Sequence, residues 1–505
     1  MERETMKLLV TGATGYIGGR LIPRLVEAGY DVACMARDPS RLEGREWDNV
    51  EIRKGDVFDT ESLRTALDGV DVAYYLIHSM SKNVDGFERQ DRVAASNFAE
   101  AARDAGVKRI IYLGGLGAAD HKLSPHLASR QEVGNVLRES GLPVTEFRAA
   151  VVVGSGSVSF EMIRYLTERV PVMVAPRWVS TRCQPIAVSN VLEYLIQCLR
   201  NPRSEGRVIE IGGPDVMTYG EMMLGYAKVR GLRRWIVPVP FLTPRLSSYW
   251  VDLVTPIPAA ISRPLIEGLR SEVIVNDPSA SEIFDIELLS YEEAVSRALE
   301  RTRSDNIETA WSGAQTPIRQ GVMLDEKQGM IRERRQIESS ASPSAVFAQV
   351  TSIGGRRGWY YADSLWKVRG LLDRLVGGIG MRRGRRKQHD LRPGDALDFW
   401  RVETYVPDQV LRLRAEMRVS GLAWLQFEVY PRNGDGTLLV QTAFYEPHGL
   451  SGVLYWYALY PVHQIIFSGL AREIVRRAEE AEARYDQRND SQASGASTAE
   501  QAPRT

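Results

Sequence analysis

Residues 7–19, KLLVTGATGYIGG, decide the fold of the first part of the chain. The apolar run KLLV is typical of a buried strand, and it leads directly into a turn whose three glycines are spaced three residues apart. An amphipathic helix pattern follows. Glycines at this spacing let backbone N–H groups and the helix N-terminus approach a pyrophosphate. We therefore predict a dinucleotide site, the alternative being a tight turn without a ligand. The predicted contacts are Thr11, Gly12, Thr14, Gly15, Tyr16, Ile17 and Gly18.

The rest of the first 150 residues repeats the alternation of strand and helix. Short apolar segments rich in Val, Ile and Tyr are separated by amphipathic stretches. This alternation predicts the α/β fold class, with a doubly wound parallel sheet covered by helices on both faces. The predicted strands are DVACMA (31–36), VEIRKGD (50–56), VDVAYYLI (70–77) and KRIIYLGG (108–115), and the predicted helices are ESLRTALDG (61–69) and FERQDRVAASNFAEAARDAG (87–106).

Length and composition limit the remaining possibilities. At 505 residues the chain is longer than one hydrophobic core usually supports, so two or three domains are expected. Lys plus Arg and Asp plus Glu are both 64, which argues against a nucleic-acid-binding protein with a strong overall field. Cys34, Cys183 and Cys198 have no metal-knuckle spacing, so no metal site is predicted and a disulfide-built secreted scaffold is excluded. The first residues contain no apolar signal core, so we expect a cytoplasmic protein.

A polar, aperiodic stretch at residues 302–325 separates two parts of the chain with different patterns. We interpret it as a linker that follows a first domain over residues 1–301. Beyond it, strands such as LRLRAEM (411–417) place apolar side chains and charged side chains on opposite faces, which predicts a half-solvated antiparallel sheet. A long helix from about residue 450 to 485 closes this second, α+β domain, residues 326–485. The composition of residues 486–505 predicts a disordered tail.

The glycine spacing GxxGxxG resembles that of the short-chain dehydrogenase superfamily in its extended and atypical branches. Two later segments, QPIAVSNV (184–191) and IEIGGPDVMTYGEMM (209–223), are similar to motifs of atypical members related to NmrA-like proteins. The resemblance covers residues from about 6 to 300. It implies a Rossmann-type fold that binds NAD or NADP.

The end of the second predicted strand, Arg37 and Asp38, bears on the choice of cofactor. An acidic residue at this tip binds the ribose 2′-hydroxyl of NAD. The Arg37 guanidinium instead suits the 2′-phosphate of NADP, because it can bind a phosphate with two parallel hydrogen bonds. We therefore predict NADP rather than NAD, a solvated surface arginine being the alternative. The resemblance also implies that Asp56 and Val57 border the adenine and that Asn97 has a structural role.

The catalytic positions depart from the pattern of the superfamily. In extended members the fifth strand ends in Ser, and Tyr-x-x-x-Lys follows on the next helix. Here the strand ends in Gly114 and Gly115, and the aligned helix, SPHLASRQEVGNVL (124–137), has His126 at the Tyr position and Arg130 at the Lys position. Arg130 could supply charge, and His126 would have to be a substitute acid. We therefore expect poor turnover of the standard carbonyl substrates of the superfamily.

His78 and Ser79 follow the fourth predicted strand. The carboxyl ends of strands at the switch point of such a sheet line the ligand crevice, so Ile77 and His78 are predicted to lie near the nicotinamide. His78 is either a structural histidine or a third candidate catalytic residue beside His126 and Arg130.

The second domain resembles a family often fused to such dehydrogenase domains and of unknown function. The order of its elements is that of a START-like (SRPBCC-type) helix-grip domain. This resemblance implies a curved sheet around the closing helix, with an apolar cavity between them. Aromatic residues that line such a cavity also serve an ordinary solid core, so both alternatives stay open. The aromatic segments include GWYYADSLW (358–366), DFWRVETY (398–405) and LYWYALYP (454–461).

Two segments of the second domain could contact a membrane. Residues 449–471 contain no Asp, Glu, Lys or Arg, but Pro461, His463 and Gln464 lie inside the run, so we expect a buried core helix rather than a membrane span. The basic cluster RRGRRK (382–387) could bind a phosphate, an anionic lipid headgroup or nucleic acid, or could be a solvated loop. No nucleic-acid motif accompanies it, so we do not expect nucleic-acid binding.

Three functions are compatible with these patterns. The first is an NADP-dependent oxidoreductase that acts on a small or lipid-like carbonyl compound. The second is a non-catalytic NADPH-binding sensor or assembly module, which the absence of the Tyr and Lys favours. The third is a lipid-binding carrier that acts through the second domain, with peripheral membrane contact. The sequence does not predict the oligomeric state.

Overall fold

The chain divides into two compact units, residues 1–312 and 313–505. The structure is a computed structural model, and it describes residues 6–42, 45, 47, 49–77, 87–117, 124–239, 255, 268, 271–301, 322–375, 391–432 and 436–499.

Parallel strands form the main sheet of unit 1, and within the described residues there are seven of them. They are β1 (Lys7–Val10), β2 (Asp31–Ala36), β3 (Val50–Lys54), β4 (Val72–Tyr75), β5 (Arg109–Gly115), β6 (Val144–Ala149) and β7 (Val208–Ile211). Their order is β7-β6-β5-β4-β1-β2-β3. The chain order therefore reverses between β1 and β4, which confirms the predicted doubly wound Rossmann-type sheet.

Helices cover both faces of this sheet because its strands are apolar on both sides. Leu8 and Val10 of β1 belong to one core cluster together with Leu21, whereas Leu9 belongs to a second cluster together with Phe98. Successive strand residues point to opposite faces, so the two clusters mark two helical layers. The helices of unit 1 are α1 (Gly18–Glu27), α2 (Thr60–Leu67), α3 (Phe87–Asp104), α4 (Pro125–Glu139), α5 (Val158–Arg169), α6 (Val188–Gln197), α7 (Tyr219–Arg230), α8 (Ser279–Ile283) and α9 (291–301).

Short strand pairs and single turns of helix complete unit 1. All three cysteines are buried and free. The strand pairs are Val152–Val153 with Ile186–Ala187, Arg182–Cys183 with Met217–Thr218, and Val172–Ala175 with Trp235–Pro238. The 3₁₀ turns are Pro39–Leu42, Arg177–Ser180, Cys198–Arg200 and Pro202–Ser204.

Unit 2 is built on an antiparallel sheet, which has seven strands in the part of the unit that the structure describes. The strands are β8 (Val322–Lys327), β9 (Met330–Ser339), β10 (Ala396–Leu397), β11 (Trp400–Val406), β12 (Val410–Ala415), β13 (Gly421–Pro431) and β14 (Thr437–Pro447). Their order is β8-β9-β14-β13-β12-β11-β10. The first strand thus begins inside the stretch predicted as a linker. The helices are α10 (Pro343–Thr351), α11 (Asp363–Leu375) and α12 (Gly449–Ala499), with a 3₁₀ turn at Gly355–Arg357.

Helix α12 packs its apolar side into the core of unit 2. Trp456, Phe467, Leu470 and Ile474 are buried in one cluster with the sheet. No helix in the described part of the chain is long and apolar enough to cross a bilayer. The helix continues to Ala499, past residue 485, where the sequence predicted its end. Once packing fixes the first turns of α12, each further residue adds a backbone hydrogen bond, and the helix does not have to be nucleated again.

The strand LRLRAEM departs from its predicted alternation at one position. Leu411 and Leu413 are buried as expected, but Arg412 is buried as well. Its Nε donates to Gln426 Oε1 at 2.7 Å, across the β12–β13 pair. The second face of the sheet is therefore not simply solvated at this point, because it carries a buried polar layer.

Candidate dinucleotide site

The glycine turn lies between β1 and α1, and its backbone leaves no room for side chains. Gly12 has a φ of +69°, and a Cβ atom there would lie 2.5 Å from the Leu76 carbonyl oxygen. A Cβ atom at Gly18 would lie 2.4 Å from the Gly12 carbonyl oxygen. Glycine is required at both positions because the turn folds closely on itself and on the end of β4. This close approach leaves the start of α1 open to a phosphate.

Thr11 holds this turn from behind. Its Oγ1 donates to the Tyr74 carbonyl at 2.8 Å and accepts from the Leu76 amide at 3.0 Å. The side chain is fully buried and ties the end of β1 to the end of β4. The structure therefore places Thr11, predicted as a cofactor contact, in a supporting position.

A cavity of about 880 Å³ opens at the turn. Arg37, Val57 and Ile77, which the sequence also predicts as cofactor contacts, lie on its wall. Phe58, Gln90 and Leu113 line it as well, and the sequence pattern did not single them out. A signal for Leu113 was available, since it lies at the carboxyl end of β5. From the turn itself, the lining residues are Gly12, Thr14, Gly15, Tyr16, Ile17 and Gly18.

Asp56 and Asn97 support the wall of the cavity around Val57 without lining the cavity themselves. The Asp56 carboxylate accepts from the Phe58 amide at 3.1 Å and so fixes the turn after β3. Asn97 Nδ2 donates to the Val57 carbonyl at 3.0 Å, which is the structural role expected for it. Val57 thus reaches the cavity because its two neighbours hold the backbone.

Two arginines mark the far end of the cavity. Arg37 and Arg41 both line it and are exposed, and in the described part of the chain neither side chain has a hydrogen bond or ion pair. Asp38 is differently engaged, because its carboxylate accepts from the Ser40 hydroxyl at 2.7 Å and from the Ser40 amide at 3.2 Å. The hydroxyl hydrogen bond is the main cause that lowers the pKa of Asp38. The strand tip thus presents cations, while its carboxylate is held by the following turn.

Arg130 lies at the opposite end, beside the last residues of β5. Its Nη2 donates to the Leu113 carbonyl at 2.6 Å, and its own carbonyl accepts from the Tyr112 hydroxyl at 2.9 Å. A Cβ atom at Gly115 would lie 2.9 Å from Leu127 Cδ2 and 3.5 Å from Arg130 Cδ. The glycine at the end of β5 therefore makes room for the arginine and for Leu127. Arg130 Nε is buried and has no partner among the described residues.

The side chains of the other two candidate catalytic residues, His78 and His126, lie outside the described part of the chain. His78, with Ser79, lies outside the described residues. His126 belongs to the first turn of α4, but its side chain is also outside the description. Arg130 is therefore the one candidate catalytic side chain that the described residues bring to the cavity.

Tyr16 contributes a buried phenol to the start of α1. The guanidinium carbon of Arg20 lies 4.3 Å from the centre of its ring. Its hydroxyl is enclosed near Gly154, where a Cβ atom would come within 2.4 Å of it, and it has no partner among the described residues. Burial raises the pKa of Tyr16 to about 12, so the phenol stays protonated at neutral pH. The sequence predicted Tyr16 as a cofactor contact within the glycine turn, but it gave no sign of the buried hydroxyl.

Two family models match the chain. Residues 12–163 match the model described as NAD(P)H-binding, and residues 330–470 match a protein of unknown function, DUF2867. The first range contains the glycine turn and Arg130, and the second contains most of the sheet of unit 2.

Three curated proteins are similar in sequence to this chain, each over less than half of its length. A (4-alkanoyl-5-oxo-2,5-dihydrofuran-3-yl)methyl phosphate reductase of Streptomyces griseus is 30% identical over 44% of this chain and 74% of its own length. A ceramide reductase of Caulobacter vibrioides is 27% identical over 46% and 73%, respectively. A photosystem II assembly factor of Trieres chinensis is 22% identical over 48% and 75%. Together with the glycine turn and the cavity it opens, these matches show that the chain belongs to the family of NAD(P)H-binding, reductase-like proteins.

Proposed function

We propose that the chain is an NADPH-dependent reductase of a small or lipid-like carbonyl compound. The observation that carries the proposal is the position of Arg130, which lines the same cavity as the glycine turn and has a buried Nε without a partner in the described residues. Two of the relatives are named reductases, which supports this class of reaction. The Gly12–Gly18 turn and Arg37 would hold the cofactor.

Arg130 would replace the Tyr–Lys pair in the electrostatic stabilisation of the substrate carbonyl oxygen. When bound, the reduced nicotinamide supplies a hydride equivalent to the substrate. Negative charge then develops on the carbonyl oxygen, and a fixed guanidinium nearby stabilises that charge. Arginine side chains donate hydrogen bonds but do not serve as acids in proteins, so a second group must deliver the proton. His126, on the first turn of α4, is the proposed proton donor.

Replacement of Arg130 tests this role. We expect Arg130→Met to lower kcat/KM about 100-fold, the size typical of losing one preorganised donor, while NADPH affinity is unchanged. Arg130→Lys should retain part of the activity because it keeps the charge. The measurement is NADPH oxidation with a panel of aldehydes, ketones, quinones and long-chain carbonyl compounds. Arg103→Met, on the exposed side of α3, is the matched control.

The alternative is a non-catalytic NADPH-binding sensor or assembly module. It is supported by the glycines at the end of β5, which remove the hydroxyl that the resemblance would place there, and by the relative named as an assembly factor. Tight NADPH binding without oxidation by any compound of the panel would contradict the reductase and favour this alternative.

A second proposed function, a START-like lipid carrier with peripheral membrane contact, rests on a specific surface of unit 2. Helices α11 and α12 are neighbours, because Arg369 Nη2 donates to the Tyr455 hydroxyl at 3.0 Å. Each helix exposes a row of large apolar side chains at helical spacing, between 40% and 76% exposed. We call these rows the apolar face; they are Leu365, Val368, Leu371 and Leu375 on α11 and Leu454, Tyr457, Val462 and Ile465 on α12.

The proposed occupant of the apolar face is an anionic membrane surface. The basic segment 382–387 lies shortly after Leu375 in sequence, outside the described residues, and basic clusters next to apolar surfaces favour anionic lipids. An exposed apolar area of this kind is uncommon on soluble monomers unless it serves an interaction.

Vesicle flotation tests the membrane proposal. The full chain should float with vesicles of phosphatidylcholine and phosphatidylglycerol, and more weakly with phosphatidylcholine alone. The double variant Leu371→Glu and Ile465→Glu should reduce the bound fraction about tenfold or more, because two buried apolar contacts become charges. Leu224→Glu, at an exposed apolar position of α7, is the matched control and should change nothing. Equal flotation of the double variant and the parent would contradict the membrane contact.

A further inference from the structure

We propose that the interior of unit 2 binds an apolar molecule by a single anionic group, which Arg335, Arg369 and the Gln441 amide hold beneath helix α12. This inference rests on the proposed carrier function and specifies the chemistry of its cargo. It is carried by a set of polar side chains that lie within the otherwise apolar core.

The polar set lies on the inner face of the sheet. Arg335 on β9 pairs in register with Gln441 on β14, and Glu333 is two residues away on the same face. Ile331 and Leu439, which share that face by alternation, belong to the core cluster of unit 2. Glu333, Arg335 and Gln441 are buried to 96% or more. The set is therefore inside the core and not at its edge.

Helix α12 covers this set directly. Arg335 Nε donates to Ser468 Oγ at 3.0 Å, and its guanidinium carbon lies 5.6 Å from the centre of the Phe467 ring. One turn earlier, His463 Nε2 lies 2.9 Å from Nη1 of Arg369 on helix α11. The two guanidinium groups thus approach the same segment of α12 from the sheet and from α11.

The hydrogen-bonding groups left over in this region are mainly donors. Arginine only donates, so His463 Nε2 must accept from Arg369, and the neutral ring then carries its hydrogen on Nδ1. Burial, followed by Arg369 and Arg335, lowers the pKa of His463 to about 3, so the ring is neutral. Buried donors need acceptors. Two buried acceptors in this region, Glu333 Oε2 and Gln441 Oε1, have no hydrogen-bond partner among the described residues. The buried donors that lack such a partner are more numerous: Arg335 Nη1, Arg369 Nε, Gln441 Nε2, His463 Nδ1, Trp366 Nε1 and Trp456 Nε1.

The charges in this region also call for an anion. Glu333 pairs with Arg335, whereas no carboxylate of the described residues lies within ion-pair distance of Arg369. Burial raises the pKa of Glu333 and lowers the pKa of Arg335, so an additional anion beside Arg335 would stabilise its charged form. Arg335 is buried and Arg369 is half-buried, and a cation withdrawn from water needs a compensating partner. The oxygens of a carboxylate or a phosphate supply both the negative charge and the missing hydrogen-bond acceptors. Water can supply acceptors but no charge.

Aromatic side chains pack next to the polar set and would contact the apolar part of a ligand. Trp366 lies 6.0 Å from Phe467, which lies 5.2 Å from His463, between ring centres. Trp456 lies 5.0 Å from His463 and stacks on Tyr445 at 5.1 Å. The proposed ligand class is therefore an apolar chain or ring with one anionic head, such as a fatty acid or a lysophospholipid.

Binding of cis-parinaric acid and of its methyl ester to the full chain tests the inference. The acid should bind at least about tenfold more tightly than the ester, since the ester lacks the charge at the same length. Arg369→Met should remove that preference and leave ester binding unchanged. Arg414→Met, an exposed arginine on the opposite face of the sheet, is the matched control and should preserve it. Displacement of the probe by oleate or by lysophosphatidic acid identifies a carboxylate or a phosphate head.

A second variant keeps the test decisive if Arg369→Met unfolds. Gln441→Leu should weaken binding of the acid while raising the thermal unfolding temperature of the ligand-free chain, because it removes two buried groups without partners. Equal affinity for acid and ester, no binding of the acid, or an unchanged preference in Arg369→Met would overturn the anionic site. Ester binding together with vesicle flotation would still support the carrier function, so the two failures are distinguishable.

Discussion

NADPH is expected to bind about 100-fold more tightly than NADH, and Arg37→Asp is expected to reverse that order. The Arg37 guanidinium stands at the tip of β2 on the wall of the cavity, and Arg41 stands close by in sequence. Hydrogen bonds that involve a charged group contribute about 1.5–3 kcal/mol, and each 1.4 kcal/mol is a factor of ten in affinity. An aspartate at this position would repel the 2′-phosphate and accept from a 2′-hydroxyl instead.

Calorimetric titration of both cofactors measures this preference. Arg103→Asp makes the same change of charge on an exposed helix away from the cavity, and it should leave the ratio of the two affinities unchanged. The preference should shrink in high salt, because Arg37 is exposed and its field is screened. Equal affinity of the parent for NADPH and NADH would mean that Arg37 is only a solvated surface residue.

The fold of unit 1 could be predicted because its signals are local. The segment from Leu8 to Val10 is apolar throughout, the turn that follows has glycines where the backbone needs them, and DVACMA is a strand over the predicted residues. Each of these features depends on residues close together in sequence. The contacts of Asn97 with Val57 could be inferred only from the resemblance, since they join distant segments.

The parts that sequence reasoning missed depend on packing between distant segments. In the sequence, Gly115 only indicates that the catalytic hydroxyl of the superfamily is missing. The structure adds that Arg130 and Leu127 occupy the space that a side chain at this position would need. Arg412 follows the alternation expected of a solvated face, yet it is buried against Gln426. Alternation tells which face a residue takes, but it does not tell what covers that face. Gln441 was missed for the same reason.

Loss of cofactor binding is expected from the smallest possible change at Gly12. A methyl group in Gly12→Ala would lie 2.5 Å from the Leu76 carbonyl oxygen, and the residue would keep its φ of +69°. The turn must then move away from β4, and the backbone groups that face the pyrophosphate move with it. Since these groups and the start of α1 are the predicted phosphate site, we expect NADPH affinity to fall about 1,000-fold or more.

Gly29→Ala separates the close approach at Gly12 from ordinary backbone strain. Gly29 also has a positive φ, +84°, but a Cβ atom there would meet nothing within 4 Å. It should cost about 1–2 kcal/mol of stability through its conformation alone and leave NADPH binding intact. Gly18→Ala provides the converse case, because its Cβ would lie 2.4 Å from the Gly12 carbonyl oxygen at a φ that is not positive. Calorimetry of NADPH binding and circular dichroism of all three variants distinguish lost binding from lost folding. A folded Gly12→Ala or Gly18→Ala variant that binds NADPH as tightly as the parent would show that the glycine turn does not form the phosphate site.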